Sequence, residues 1–89
     1  MTIKTAALQK KKEYDDGYKK WCLENPGYVM NGLSSKSIGA DLASYCDTVE
    51  DVQTLIKVYG RKAKNTDGPH GYLFITTALT EILELYNKT

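Results

Sequence analysis

The chain has 89 residues, a formal net charge of +1 and a 42% hydrophobic share, which suits one domain with a small core. A balance this close to neutral excludes recruitment of nucleic acid by a global field, and no apolar stretch approaches the length of a membrane span. Two cysteines, Cys22 and Cys46, with a single histidine exclude a zinc site of ordinary spacing.

The first element is an amphipathic helix over about Ile3 to Leu23. Ile3, Ala7, Tyr14, Tyr18 and Trp21 recur at helical spacing if Lys10 or Lys11 fills the missing turn. A lysine stem can cover apolar surface while its ammonium reaches water. Gly17 weakens a helix by roughly 1 kcal/mol relative to Ala, so a bend near Asp16-Gly17 is expected. Asn25-Pro26-Gly27 ends the helix.

Next, Tyr28-Val29-Met30 and Leu33 flank Asn31-Gly32, a dipeptide that suits a type I′ turn, so a short β-hairpin near residues 28–34 is one reading. Its flanks are too short for a hairpin to stand alone. A packed loop over residues 28–37 is the expectation. Ser37 then caps a short helix with Ile38, Leu42 and Tyr45 on its apolar face.

Asp47 is expected to cap the third helix, with Glu50 completing a capping box. Val49, Val52, Leu55, Ile56 and Tyr59 form its apolar stripe, and Gly60 frays it early. Arg61, Lys62 and Lys64 fall in its last turns, where cations complement the helix dipole. Asn65-Thr66-Asp67-Gly68-Pro69 is a turn cluster. A final helix runs from His70 or Gly71 to Asn87. Tyr72, Ile75, Leu79, Ile82, Leu83 and Tyr86 line it, and Leu73, Phe74, Ala78 and Leu85 widen the stripe to most of the circumference. Such a helix is central, or shared with another subunit. The expected fold is a single all-α domain over residues 1–89, a small bundle of three to four helices with a C-terminal helical hairpin.

Seven tyrosines and one tryptophan stand against a single phenylalanine. Tyr and Trp combine an apolar body with a polar tip, which favours them at interfaces and ligand edges. Charge is segmented too. Residues 1–24 hold six lysines against four acids, residues 25–56 one lysine against four acids, and residues 57–70 four basic groups against Asp67. A segmented surface suits a specific protein partner or a small anion better than generic DNA.

Tyr14, Tyr18 and Trp21, interleaved with Lys19 and Lys20, have the residue types that stack bases and meet phosphates. The plainer reading is that they are the buried face of the first helix. Arg61, Lys62 and Lys64 beside Asp67-Gly68-Pro69-His70-Gly71 could hold an anion, although this loop lacks the spacing and lysine of a P-loop. The plainer reading there is a solvated helix end.

His70 has no nucleophile near it in sequence, and a general base needs one within hydrogen-bond reach. Asp15-Asp16 and Glu50-Asp51 are adjacent pairs whose side chains point about 100° apart on a helix, so neither pair converges on a substrate. Catalytic residues, metal ligands and cofactors are therefore all expected to be none. Cys22 and Cys46 read as free, mostly buried thiols of a reducing compartment.

The function these features favour is that of a small non-enzymatic interaction protein that binds and modulates or inhibits a macromolecular partner. In size, Lys/Tyr richness and lack of a motif, the chain is similar to small phage-encoded proteins that bind host or defence machinery. The likeness implies a protein partner and action in the host cytoplasm. Met1-Thr2-Ile3-Lys4-Thr5, which has no apolar signal-peptide core, fits a cytoplasmic location. The alternative is an oligomeric module that sequesters a nucleotide-like anion. Nucleic acid ranks third as a partner, a membrane is not expected, and a homo-oligomer would stabilise so small a core. The partner- or ligand-binding set is Tyr14, Tyr18, Trp21, Arg61, Lys62 and Lys64.

Overall fold

The computed structural model describes residues 1–66 and 70–88, with the backbone alone at His70. Four helices run in chain order: α1 (Ile3–Glu24), α2 (Asn31–Ser44), α3 (Val49–Asn65) and α4 (His70–Lys88). Among the described residues there is no strand, and the fold is an all-α bundle. No described helix is long and apolar enough to cross a membrane.

Local chemistry sets the ends of α1. The Thr2 hydroxyl accepts from the Thr5 backbone N–H at 3.1 Å. At the other end, the Asn25 backbone N–H and its side-chain amide both donate to the Trp21 carbonyl, at 2.9 and 3.0 Å. Gly27 follows at φ +86°, the left-handed conformation that favours glycine. The helix continues unbroken through Gly17.

The expected hairpin or loop at residues 28–37 is replaced by helix from Asn31 onward. Asn31-Gly32 forms the first turn of α2, because Gly32 is buried against Phe74 of α4: a Cβ there would stand 3.3 Å from the Phe74 ring. Tertiary contact overrides the turn preference of the dipeptide. Ser37, expected as an N-cap, lies inside α2, and its hydroxyl donates to the Asp15 carboxylate on α1.

The buried face of α2 is Gly32, Ser35, Gly39, Ala40 and Ala43, all small residues. At Gly39 the backbones almost touch. A Cβ would lie 2.9 Å from the Ile75 carbonyl oxygen and 3.1 Å from the Ala78 Cβ. The expected apolar face of this helix is therefore turned away from the core: Ile38 is 51% exposed and Tyr45 78%, with Leu42 between them half-buried.

Thr48 caps α3, one residue beyond the expected Asp47. Its hydroxyl accepts from the Asp51 N–H at 3.2 Å, and the Asp51 carboxylate accepts from the Thr48 and Asp47 N–H groups, each at 3.2 Å. The capping box thus pairs Thr48 with Asp51, since position N3 counts from the cap actually used. Val52 is fully buried, with Val49, Leu55, Ile56 and Tyr59 packed around the core. Gly60 does not fray the helix, which runs on to Asn65.

Helix α4 is the centre of the bundle and packs against all three other helices. Ile75, Ala78, Leu79 and Ile82 are its buried residues. Its Thr76, Thr77 and Thr80 hydroxyls donate to the carbonyls four residues back at 2.9–3.0 Å, which satisfies these donors within the helix. Helices α3 and α4 pack as the expected C-terminal pair. The turn residues Asp67-Gly68-Pro69 and the side chain of His70, with the anion-loop and catalytic readings attached to them, lie outside the described residues.

Two glycines in helix interiors should respond oppositely to alanine. A methyl at Gly39 meets backbone, so Gly39→Ala should destabilise by about 1–2 kcal/mol after the helix-propensity gain is subtracted. Gly60 has nothing within 4 Å, so Gly60→Ala should stabilise by about 0.5–1 kcal/mol. Urea midpoints of the two variants decide, and a Gly39→Ala protein as stable as the parent would contradict the close α2–α4 approach.

Candidate functional site

Tyr14 is 7% exposed on α1, with its ring in the core. Its hydroxyl donates to the Glu81 carboxylate of α4. Glu81 also meets the Lys36 ammonium of α2 at 3.4 Å, and that ammonium stands 5.6 Å from the centre of the Tyr14 ring. Three helices are thus joined through one carboxylate. Burial, reinforced by the bond to Glu81, holds the Tyr14 hydroxyl far above its ordinary tyrosine range. Tyr14 ties the bundle together and offers no face for stacking a ligand.

Tyr18 and Trp21 are half-buried further along α1. Tyr18, Lys19, Cys22 and Leu23 line a shallow, mainly apolar groove of about 450 Å³. The neighbouring Cys22 thiol raises the Tyr18 hydroxyl above its usual range.

Arg61, Lys62 and Lys64 are all exposed near the end of α3. The Lys62 ammonium lies 5.1 Å from the Tyr59 ring centre and 5.7 Å from that of Tyr72, and the two rings are tilted with centres 6.1 Å apart. Helices α1 and α3 make almost no contact with each other. The six residues singled out in the sequence therefore divide into a core tyrosine, a half-buried aromatic pair on α1 and a cationic end on α3.

A second exposed apolar surface lies on the outer face of α2. Ile38, Leu42 and Tyr45 follow i, i+4, i+7 spacing and form one stripe. Lys11, Ser37, Ile38, Asp41 and Leu42 line a shallow groove of about 290 Å³ between α1 and α2. Leu8 on α1 is 53% exposed. The stripe itself was legible in the sequence. Its direction was not, because periodicity alone cannot tell an apolar face turned inward from one turned out.

Polar groups along this groove are fixed in place. Asp15 accepts from the Ser37 hydroxyl and from Lys11 at 3.0 Å, and these two contacts hold its carboxyl below the ordinary range. Lys11 is correspondingly raised by Asp15. Lys4 pairs with Asp47 at 3.6 Å. Asp41 makes no ion pair among the described residues.

The two thiols are free, Cys46 buried and Cys22 half-buried. Burial, with Asp51 and Asp47 nearby, raises the Cys46 thiol, so it stays protonated and unreactive at neutral pH. Among the described residues no group of three or more His, Cys, Asp and Glu side chains is placed to hold a metal ion.

Two pH limbs follow. Asp15 has a folded pKa below its unfolded value near 4, so its contribution is present above about pH 4 and lost as pH falls through the folded value. Asp15→Asn should flatten the acid limb of stability while costing under about 1 kcal/mol at pH 7, since the carboxylate is partly solvated. Tyr14 has a raised folded pKa, so its contribution is complete below the unfolded value near 10 and declines at higher pH. Tyr14→Phe should flatten the alkaline limb and cost about 1–2 kcal/mol at pH 7 by removing a hydrogen bond to a carboxylate. Urea titrations between pH 2 and 11 check both.

No family model, curated protein or solved structure matches the chain.

Proposed function

We propose that this chain is a small, non-enzymatic interaction protein that binds a macromolecular partner and modulates or inhibits it. One observation carries the reading. Helix α2 buries only small side chains and turns Ile38, Tyr45 and part of Leu42 to solvent. A folded domain this small has few large apolar residues to spare, and an exposed, organised group of them marks a contact surface more often than chance exposure does. The structural polar groups support it, because Asp15, Lys11 and Ser37 hold the α1–α2 groove in one shape before any partner arrives. The compositional likeness to phage-encoded proteins suggests host or defence machinery as the target.

The α2 face enters the contact set ahead of the α1 aromatics. Tyr14 leaves it, because its ring and hydroxyl are both used within the fold. Arg61, Lys62 and Lys64 stay as the working groups of the second reading, a module for a nucleotide-like anion. That reading is favoured by one arrangement, the Lys62 ammonium poised over the Tyr59 and Tyr72 rings.

Ile38→Ser with Tyr45→Ser should leave stability within about 1 kcal/mol of the parent, because both side chains are mostly exposed. The same pair should abolish retention of the native partner in affinity purification from the source cells followed by mass spectrometry. Equal recovery of every protein by parent and variant would count against the α2 face. A rise in melting temperature with a nucleotide would favour the second reading, since a ligand bound only to the folded state must stabilise it.

A further inference from the structure

We infer that the occupant of the α2 face is a basic amphipathic helix of a partner protein, an inference that rests on the reading of this face as an interaction surface. Charge selects this occupant. Asp41 sits in the middle of the Ile38–Tyr45 stripe, half-buried beside Leu42 in the α1–α2 groove. Lys11, the cation among the groove's lining residues, is bound to Asp15 at 3.0 Å and acts on Asp41 only at longer range. Asp41 has no ion-pair partner among the described residues. Beyond it the chain places Asp47, Glu50 and Asp51 before any base, the next being Lys57. An apolar stripe interrupted by a carboxylate whose facing cation, Lys11, is shared with Asp15 calls for an apolar surface that carries a cation.

A second copy of this chain fits badly. A two-fold docking centred on the stripe would set Asp41 against its own copy, since matching residues meet around the axis of an isologous interface. Burying two like charges together costs heavily, while an opposite charge placed there contributes to affinity and orientation. The surface available spans about two helical turns of α2, roughly 10 Å, bordered by Lys11 of α1, which suits one helix lying in the groove.

The test uses two synthetic helical peptides with the same leucine face, one with a lysine polar face and one with a glutamate polar face. Each is titrated into the isotope-labelled full chain and followed by amide chemical shifts. The lysine peptide should shift Ile38, Leu42 and Tyr45 and bind about tenfold more tightly than the glutamate peptide, and Asp41→Lys should reverse that preference. Equal binding of both peptides at α2 would overturn the charge inference and leave the interaction surface standing. Shifts confined to other helices, or no shifts at all, would overturn both. Light scattering that shows a dimer with the α2 amides protected would also overturn it, in favour of a second copy.

Discussion

The rest of the structure depends on the close approach of α2 to α4 at Gly39. With the Ile75 carbonyl oxygen 2.9 Å from where a Cβ would be, no larger residue fits without moving backbone. Gly32 on α2 meets the same helix, where a Cβ would press on the Phe74 ring, and Ala40 and Ala43 are likewise small and buried. This close approach also dictates where the bulk of α2 must go. Once the inner face is filled by small residues, Ile38 and Tyr45 have only the outer one. The exposed apolar stripe is thus a consequence of how the core is packed.

A contact built from small side chains removes little apolar area per residue, so the bundle needs other means of fixing its helices. Apolar burial is concentrated on α4, through Ile75, Leu79 and Ile82, with Val52 of α3 against it. Helix α1 is held partly by polar groups. The Tyr14 hydroxyl and the Lys36 ammonium converge on Glu81, and Ser37 and Lys11 converge on Asp15. Part of the tyrosine excess has its explanation here, since a buried phenylalanine could not reach Glu81. Four of the other six tyrosines divide by role. Tyr59 and Tyr72 pack beneath Lys62, while Tyr28 and Tyr45 are exposed.

Helices α1, α3 and α4 were legible in the sequence because each carries large apolar residues at helical spacing and a recognisable end, such as Asn25-Pro26-Gly27. The central place of α4 was legible as well, from an apolar pattern that covers most of its circumference. Helix α2 departs from the sequence expectation for two physical reasons. Its fully buried residues are all small and only Leu42 of the large ones packs on the core, so periodicity located a stripe whose ends, Ile38 and Tyr45, are exposed and treated it as the inward one. Its first turn is Asn31-Gly32, whose local preference is a turn, and only the Phe74 ring more than forty residues away reverses that preference. The link from Tyr14 to Glu81 spans 67 residues and leaves no local signal. The cap of α3 moved by one residue because Asp47 and Thr48 are both good caps, and the Asp51 carboxylate reaches both N–H groups.

Any docking at α2 depends on how the helix is oriented. If the helix presents Ile38 and Tyr45 to solvent, a partner of opposite pattern can dock there; if they face inward, the surface does not exist. Limited nitration of the native chain at neutral pH, mapped by mass spectrometry, reads that orientation directly from its tyrosines. Tyr45 and Tyr28, 78% and 74% exposed, should be modified first, and Tyr14, 7% exposed, last. A Tyr45 as protected as Tyr14 would contradict the account.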